Sequence, residues 1–335
     1  ISTENPYTAT ISAATELTAN FEAMTPLFVL TNDTTNVERQ LVFSASEAGV
    51  KLQIDWGDGN LVETEEIAVM PTDGTLQLTT VADTIVGEGV VKVYGEKIVY
   101  FDCAYSWSYK PKLTALDVTN ATDLEQLICN SNNLTTLDVS KNAALKSLVA
   151  DNNQFTASID LSNNVALTKL TLQSAGLTSI DLSKNINLEH LVLSQNTLGS
   201  IDLSKNTQLN YAMLLNIGIS EIDLSANTKL GLVNVSTNQL TSLDLSASTE
   251  LYQVFCNGNQ ISNLVLPEDI TYTGRVNISN NKLTFSTIPS ITISKASNFT
   301  YAPQAAMEIA TEINEGEELD LSSEAMVGEN ATVYT

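Results

Sequence analysis

The chain has 335 residues but only one histidine, three cysteines and 15 Lys and Arg against 39 Asp and Glu. Each scarcity excludes something. One histidine leaves no two-histidine zinc motif, and any Ser-His-Asp or Cys-His arrangement would have to use His190. Three cysteines make no full disulfide framework, and no CxxC occurs. A formal net charge of −24 repels phosphate backbones, so nucleic acid is not an expected partner. Nor does any run of about 18 apolar residues occur, so no membrane-spanning segment is expected. There is no glycine-rich phosphate loop. Ile1 is not an initiator and no charged-then-apolar leader is present, as expected of a trimmed chain. No metal, cofactor or catalytic residue is therefore expected, and the chain is read as no enzyme.

What the sequence does contain is a repeat. From Leu113 it can be written in seven lines, such as LTTLDVSKNAALKSLVADNNQ, LTSIDLSKNINLEHLVLSQNT and LTSLDLSASTELYQVFCNGNQ. Six lines are 21 residues long and the third, from Phe155, has one more. Degenerate copies flank them, at Ile98, Phe101 and Cys103 and again at Val276, Ile278, Asn281 and Leu283. Each line contains LxxLxLxxNxL, for example Leu188, Leu191, Leu193, Asn196 and Leu198. Two apolar residues separated by one suit a short strand with one buried face. One line cannot bury that face alone, so the lines must stack into a solenoid.

Three columns have separate tasks. Asn132, Asn153, Asn196, Asn238, Asn259 and Asn281 sit where the chain turns inward, and an amide can both donate to and accept from backbone groups stranded there. Ala175 and Ile217 interrupt that column, and a water or a loop adjustment is expected at each. Asp117, Asp138, Asp160, Asp181, Asp202, Asp223 and Asp244 form a second column. They suit backbone N–H groups or water, whereas calcium bound among them is the costlier alternative. Cys129 and Cys256 lie six lines apart, roughly 29 Å at about 4.8 Å per strand, beyond disulfide reach. Cys103 and Cys129 are neighbours in the column, but buried free thiols are expected throughout.

This pattern resembles bacterial leucine-rich-repeat proteins of the internalin type, in the internalin J-like form with 21-residue repeats and cysteine at some strand positions. The resemblance covers residues 98–302. It implies a mainly β fold, a parallel-strand horseshoe, and an exported adhesin or interaction protein. The departure is in the cysteines: Ala150, Leu172, Leu193, Leu214 and Val235 stand where a cysteine ladder would run.

Residues 1–97 lack the repeat. KLQIDWGDGN, GTLQLTTV and VVKVYG alternate as antiparallel strands do, and Asp58-Gly59 signals a hairpin. The string from Ile54 to Gly59, IDWGDG, resembles the hairpin of polycystic-kidney-disease-type (PKD-like) β-sandwich domains, which implies an extracellular spacer. The apolar spacing of ATELTANFEAM is ambiguous and also fits a short helix on the sandwich. A β-domain here would cap the first coil's open strand edge. Leu283, Phe285, Ile288, Ile291 and Ile293 are expected to cap the other end. Residues 303–335 are acidic, and EELDLSS and ATVYT read as the start of a further β-domain or linker that continues past Thr335. The expected organisation is thus 1–97, 98–302 and 303–335.

The concave face carries the functional argument. Outward positions beside the core leucines should be polar if solubility alone mattered. Instead Ile128, Val149, Val192, Tyr211, Met213, Leu215, Leu232 and Phe255 make an apolar and aromatic strip, with Lys169, His190 and Arg275 beside it. Such a strip marks an interaction surface; the plainer alternative is that β-branched residues favour strands. The expected protein is a monomer, secreted or on a bacterial cell surface, binding a protein partner, host or matrix, through that face. The alternatives are a carbohydrate-binding module, using Tyr100, Tyr211, Tyr252 and Phe255, and a purely structural spacer.

Overall fold

The computed structural model describes residues 24–73, 75–105, 111–268, 270–289, 291–293, 298–304, 326–327 and 330–331. The possible helix ATELTANFEAM falls, but for Met24, outside them, as does EELDLSS. The chain divides into two compact units, residues 1–145 with 152–154, and residues 146–151 with 155–335.

The first unit holds nine strands: β1 (Phe28–Asn32), β2 (Val37–Ala45), β3 (Gln53–Asp55), β4 (Leu61–Glu63), β5 (Thr79–Ile85), β6 (Val90–Tyr94), β7 (Ile98–Asp102), β8 (Leu113–Asp117) and β9 (Gln126–Ile128). One sheet runs β4-β3-β6-β1-β8, all antiparallel. The other runs β5-β2-β7-β9, antiparallel except for the β7–β9 pair. Alternation places Phe28 and Leu30 of β1, and Leu41 and Phe43 of β2, in the interior. There the ring of Phe101 stacks on Phe28 at 4.1 Å and on Phe43 at 5.1 Å, joining the two sheets into a sandwich. The β3–β4 hairpin forms as expected. The Asp55 Oδ1 accepts the N–H groups of Gly57 and Gly59 at 2.8 and 2.9 Å, and both glycines have positive φ. At Gly57 a Cβ would lie 2.3 Å from the Val86 carbonyl oxygen, so only glycine fits.

The sandwich runs directly into the first coil. β8 and β9 belong to the first repeat line, and they extend one sheet each. The inner edge of β9 is thus paired by Tyr100, Phe101 and Asp102 of β7, not left open. A buried arginine, not foreseen in the sequence, ties this region. Arg39 is 2% exposed and donates to the carbonyls of Pro111 (2.7 Å) and Cys103 and to Asn32 Oδ1. Burial pulls its pKa down, with Cys103, Asp102 and Asp33 opposing.

The second unit carries β10 (Ser147–Val149), β11 (Lys169–Thr171), β12 (His190–Val192), β13 (Tyr211–Met213), β14 (Leu232–Asn234), β15 (Ser242–Asp244), β16 (Gln253–Phe255), β17 (Asn263–Val265), β18 (Thr271–Tyr272), β19 (Val276–Asn277), β20 (Thr292–Ile293) and β21 (Phe299–Thr300). Strands β10-β11-β12-β13-β14-β16-β19-β21 form one parallel sheet. Its register sets Leu170 against Leu191 and Leu191 against Ala212, one 21-residue line apart. Leu148, Leu170, Leu191, Ala212, Val233, Val254 and Val276 are all fully buried. Each buried leucine contributes roughly 1.5–3 kcal/mol, and each coil contributes only against its neighbours. The opposite wall is mostly turns; β15 pairs with β17 and β18 with β20. A last short hairpin pairs Met326–Val327 with Asn330–Ala331. The fold class is therefore as expected: a mainly β, leucine-rich-repeat solenoid with an N-terminal β-sandwich.

The asparagine column does what an amide can do. Asn196 accepts from the N–H groups of Ala175 and Leu177 (3.2 and 2.9 Å) and donates to the carbonyls of Leu172 and Leu193 (2.8 and 2.7 Å). Where the column is interrupted, the next coil reaches back. Ala175 N–H bonds to Asn196 and Ile217 N–H to Asn238 at 3.0 Å, so the amide of the following coil serves both interrupted positions. The residue before each position of this column, interrupted or not, is left-handed: Ser131, Asn152, Ser174, Gln195, Asn216, Thr237 and Asn280 have φ between 51° and 61°, and Gly258 has 71°. In the final coil Gln304 does the asparagine's work. Its Oε1 accepts from Asn281 and Leu283, and its Nε2 donates to Ile278 at 3.0 Å.

A second ladder went unread in the sequence. Asn185, Asn206 and Asn227 are fully buried behind the opposite wall. Each donates twice to carbonyls of the preceding coil, Asn206 to Leu182 (3.1 Å) and Asn185 (2.9 Å). The SxN repeated in five of the seven lines, as at Ser183-Lys184-Asn185, carried that signal. The three cysteines are free and buried, as expected. Burial pushes the thiols of Cys103 and Cys256 up to about 12.

Candidate functional site

In a strand of pattern x-Leu-x, the leucine enters the core and both neighbours face out on the other side of the sheet. The second unit therefore presents two parallel columns. One runs Lys169, His190, Tyr211, Leu232, Gln253, with Arg275 one step further. The other runs Val149, Thr171, Val192, Met213, Asn234, Phe255, Asn277. A third column follows the strands: Asp151, Gln173, Ser194, Leu215, Ser236 and Asn257.

Of the expected contact residues, Lys169 and Arg275 are exposed, and Val149, His190, Val192, Tyr211, Met213, Leu215 and Phe255 are half-buried. These nine stand on one face. Ile128 is half-buried on β9 in the first unit. Leu232 departs from expectation: it is buried, with 8% exposure. It lies level with Tyr211 on one side and Gln253 on the other. Thr171 is buried too. Tyr100, one of the rings offered for sugar stacking, is interior to the first unit.

One exposed ring was underweighted in the sequence. Tyr252 is 42% exposed at the rim of the face, beside Gly231. A Cβ on Gly231 would come within 2.8 Å of Tyr252 Cε1, so the glycine makes room for the ring. The pairing of Gly231 with Tyr252 in successive lines was the available signal.

The His190 ring stacks on Tyr211, with centroids 4.1 Å apart. Burial first, then the Lys169 charge, lowers the imidazole pKa. Its neighbours on the adjoining strands are thus a cation and a phenol, and Glu189 precedes it just outside the strand. The third column is tied into the face. Asp151 accepts from Gln173 N–H at 2.6 Å and from Thr171 Oγ1 at 3.0 Å, and burial raises its pKa against those bonds. The Ser236 hydroxyl donates to Asn257 Oδ1 at 2.8 Å, and the Ser194 Oγ accepts from Leu215 N–H at 3.2 Å.

The Asp column lies on the opposite wall. Asp117, Asp138, Asp160, Asp181, Asp202, Asp223 and Asp244 each accept the N–H two residues on, at 2.8–2.9 Å. These hydrogen bonds hold the carboxyls of Asp160, Asp181, Asp202, Asp223 and Asp244 below their ordinary pKa. Asp202 and Asp223 line a cleft of about 350 Å³ with Glu221, but both already serve the backbone. Among the described residues no group of three His, Cys, Asp or Glu side chains is placed to hold a metal ion. Nor is any described helix long and apolar enough to cross a membrane.

Both the strand register and the amide column define a leucine-rich-repeat solenoid. No protein-family profile matches the chain, and no curated protein matches it. Solved structures are similar in part. The functional domain of InlJ from Listeria monocytogenes, which includes a cysteine ladder, is 30% identical over 57% of this chain and 46% of that one, with a TM-score of 0.47. A leucine-rich-repeat protein of Leptospira interrogans is 19% identical over 57% of this chain and 52% of that one, with a TM-score of 0.47. An internalin, InlF, from Listeria monocytogenes is 20% identical over 60% of this chain and 74% of that one, with a TM-score of 0.37. The chain spans about half the length of the first two.

Proposed function

We propose that this is an extracellular recognition protein of the internalin type, secreted or held on a bacterial cell surface. It acts as a monomer and binds a protein partner through the concave face of the repeat solenoid, which the parallel sheet forms. The PKD-like N-terminal domain, residues 1–97, serves as spacer and cap, the solenoid of 98–302 presents the face, and 303–335 leads onward. The observation that carries this reading is the face itself. Val149, Val192, Tyr211, Met213 and Phe255 stand half-exposed in adjacent columns, where polar groups would serve solubility better. Tyr211, Met213 and Phe255 are the anchors; the asparagines and glutamines around them supply directional contacts.

The test is a binding screen of the whole chain against host and matrix proteins and glycans. Wild type is compared with the triple variant Tyr211→Ala, Met213→Ala, Phe255→Ala. Removing such anchors should weaken a true ligand by about a hundredfold or more, each costing on the order of 1–2 kcal/mol. Equal binding by both proteins sinks the assignment. A glycan reading has one observation in its favour, the exposed Tyr252 ring at the rim. It predicts that Tyr252→Ala alone abolishes capture on a glycan array.

A further inference from the structure

The face is charged differently from the rest of the molecule. The chain carries 39 acidic and 15 basic side chains. Along the opposite wall of the second unit, Asp160, Asp181, Asp202 and Asp223 recur once per coil, fully open to solvent. On the sheet face, by contrast, the two exposed charges in the columns are cations, Lys169 and Arg275. Neither is in an ion pair among the described residues. The one carboxylate in the following column, Asp151, already accepts two hydrogen bonds from Gln173 and Thr171. The Lys169 charge also acts on the Asp151 carboxylate, yet on so acidic a protein two exposed cations on one face are available to a visitor.

Their placement gives a length. Lys169 and Arg275 stand in one column, five strand steps apart by the register. At about 4.8 Å per step the span is roughly 24 Å. An extended chain advances about 3.3 Å per residue, so the same span takes about seven residues. Between the two cations lie Val192, Met213 and Phe255 in the adjacent column, and the His190–Tyr211 stack.

We infer that the face takes an acidic peptide segment: an extended stretch with carboxylates about seven residues apart and apolar side chains between them. This rests on the proposed binding role of the face and names the chemistry of its partner. The apolar side chains supply the affinity. The carboxylates meet Lys169 and Arg275, fix the direction of the segment and raise its association rate. A basic segment fails on both counts at the face, although the opposite wall would attract it.

The experiment is a selection of random 12-residue peptides displayed on phage, against the whole chain, with the Lys169→Glu/Arg275→Glu variant as counter-target. Both substitutions lie on exposed side chains, so folding is retained. The expected result is a selected pool enriched in Asp and Glu flanking apolar residues. Synthetic copies should bind the charge-reversed variant about tenfold more weakly or worse, and should weaken as salt rises from about 50 to 500 mM. Selected peptides with no acid excess, or with equal affinity for both proteins, overturn the acidic-partner inference but leave the apolar face as a binding surface. Peptides that bind undiminished to the Tyr211→Ala/Met213→Ala/Phe255→Ala variant overturn the binding role of the face itself. A selection that yields no peptide preferring wild type over either variant overturns both.

Discussion

The imidazole of His190 lies against the phenol ring of Tyr211, the planes 9° from parallel and the centroids 4.1 Å apart. The two residues sit on neighbouring coils, so the contact exists only when the coils stack in register. The ring covers one side of His190, and burial is the first cause of its lowered pKa.

Truncating Tyr211 to alanine should therefore raise the His190 pKa toward its ordinary 6.5, with the push from Lys169 retained. A proton NMR titration of this single histidine reads it directly. The linked stability effect has a definite sign. Since the folded value lies below the unfolded one, the unfolded chain takes up a proton first, and stability falls as pH drops through 6.5. The fall should flatten below the folded value, and should shrink in Tyr211→Ala. An unchanged titration in that variant would show that the ring does not shield His190.

The interior amides predict large losses. Asn196 makes four hydrogen bonds to backbone groups that are otherwise buried. Asn196→Ala leaves those groups without partners, at about 1–3 kcal/mol each before relaxation, so a loss of roughly 3 kcal/mol or more is expected. Ser200→Ala, on an exposed position in the same coil, should be nearly neutral. Urea unfolding of the two variants decides the matter.

Thr237 holds a left-handed backbone, with φ 56°, where the next coil uses Gly258 at φ 71°. A β-branched residue there is strained by about 1–2 kcal/mol, and glycine removes that while costing about 0.5–1 kcal/mol of chain entropy. Thr237→Gly should leave stability unchanged or raise it by up to about 1 kcal/mol, whereas Thr237→Val should lower it. Thermal midpoints compared among the three proteins test this.

The Asp column predicts acid sensitivity. Hydrogen bonds to Ser162, Ser183, Ser204 and Ser225 depress the pKa of Asp160, Asp181, Asp202 and Asp223. Their stabilising effect is complete above the ordinary value of 3.8 and is lost as pH falls through the lower folded values. All four carboxylates are fully open to solvent, so each effect is small and screened. Replacing the four by asparagine should flatten the dependence of the urea midpoint on pH between about 5 and 2. A steeper dependence would contradict the capping role.

The class of fold was legible in the letters because a repeat imposes one environment on every copy. LxxLxLxxNxL names an inward pair, a turn and an amide, and twenty-one residues is the length of one coil. The Asp58-Gly59 hairpin was legible for the same local reason. What lay beyond the letters depended on neighbours in the adjacent coil or sheet. Leu232 looks outward in its own strand, yet it is buried where the neighbouring coils set Tyr211 and Gln253 level with it. Asn196 serves Ala175 in the line before its own, and Gln304 takes an asparagine's place only because the last coil brings it there. The sequence by itself determined the unit that repeats, since side-chain alternation is a property of one strand. Only the tertiary structure decided which outward side chains stay open, because burial is set by whatever the next coil places alongside.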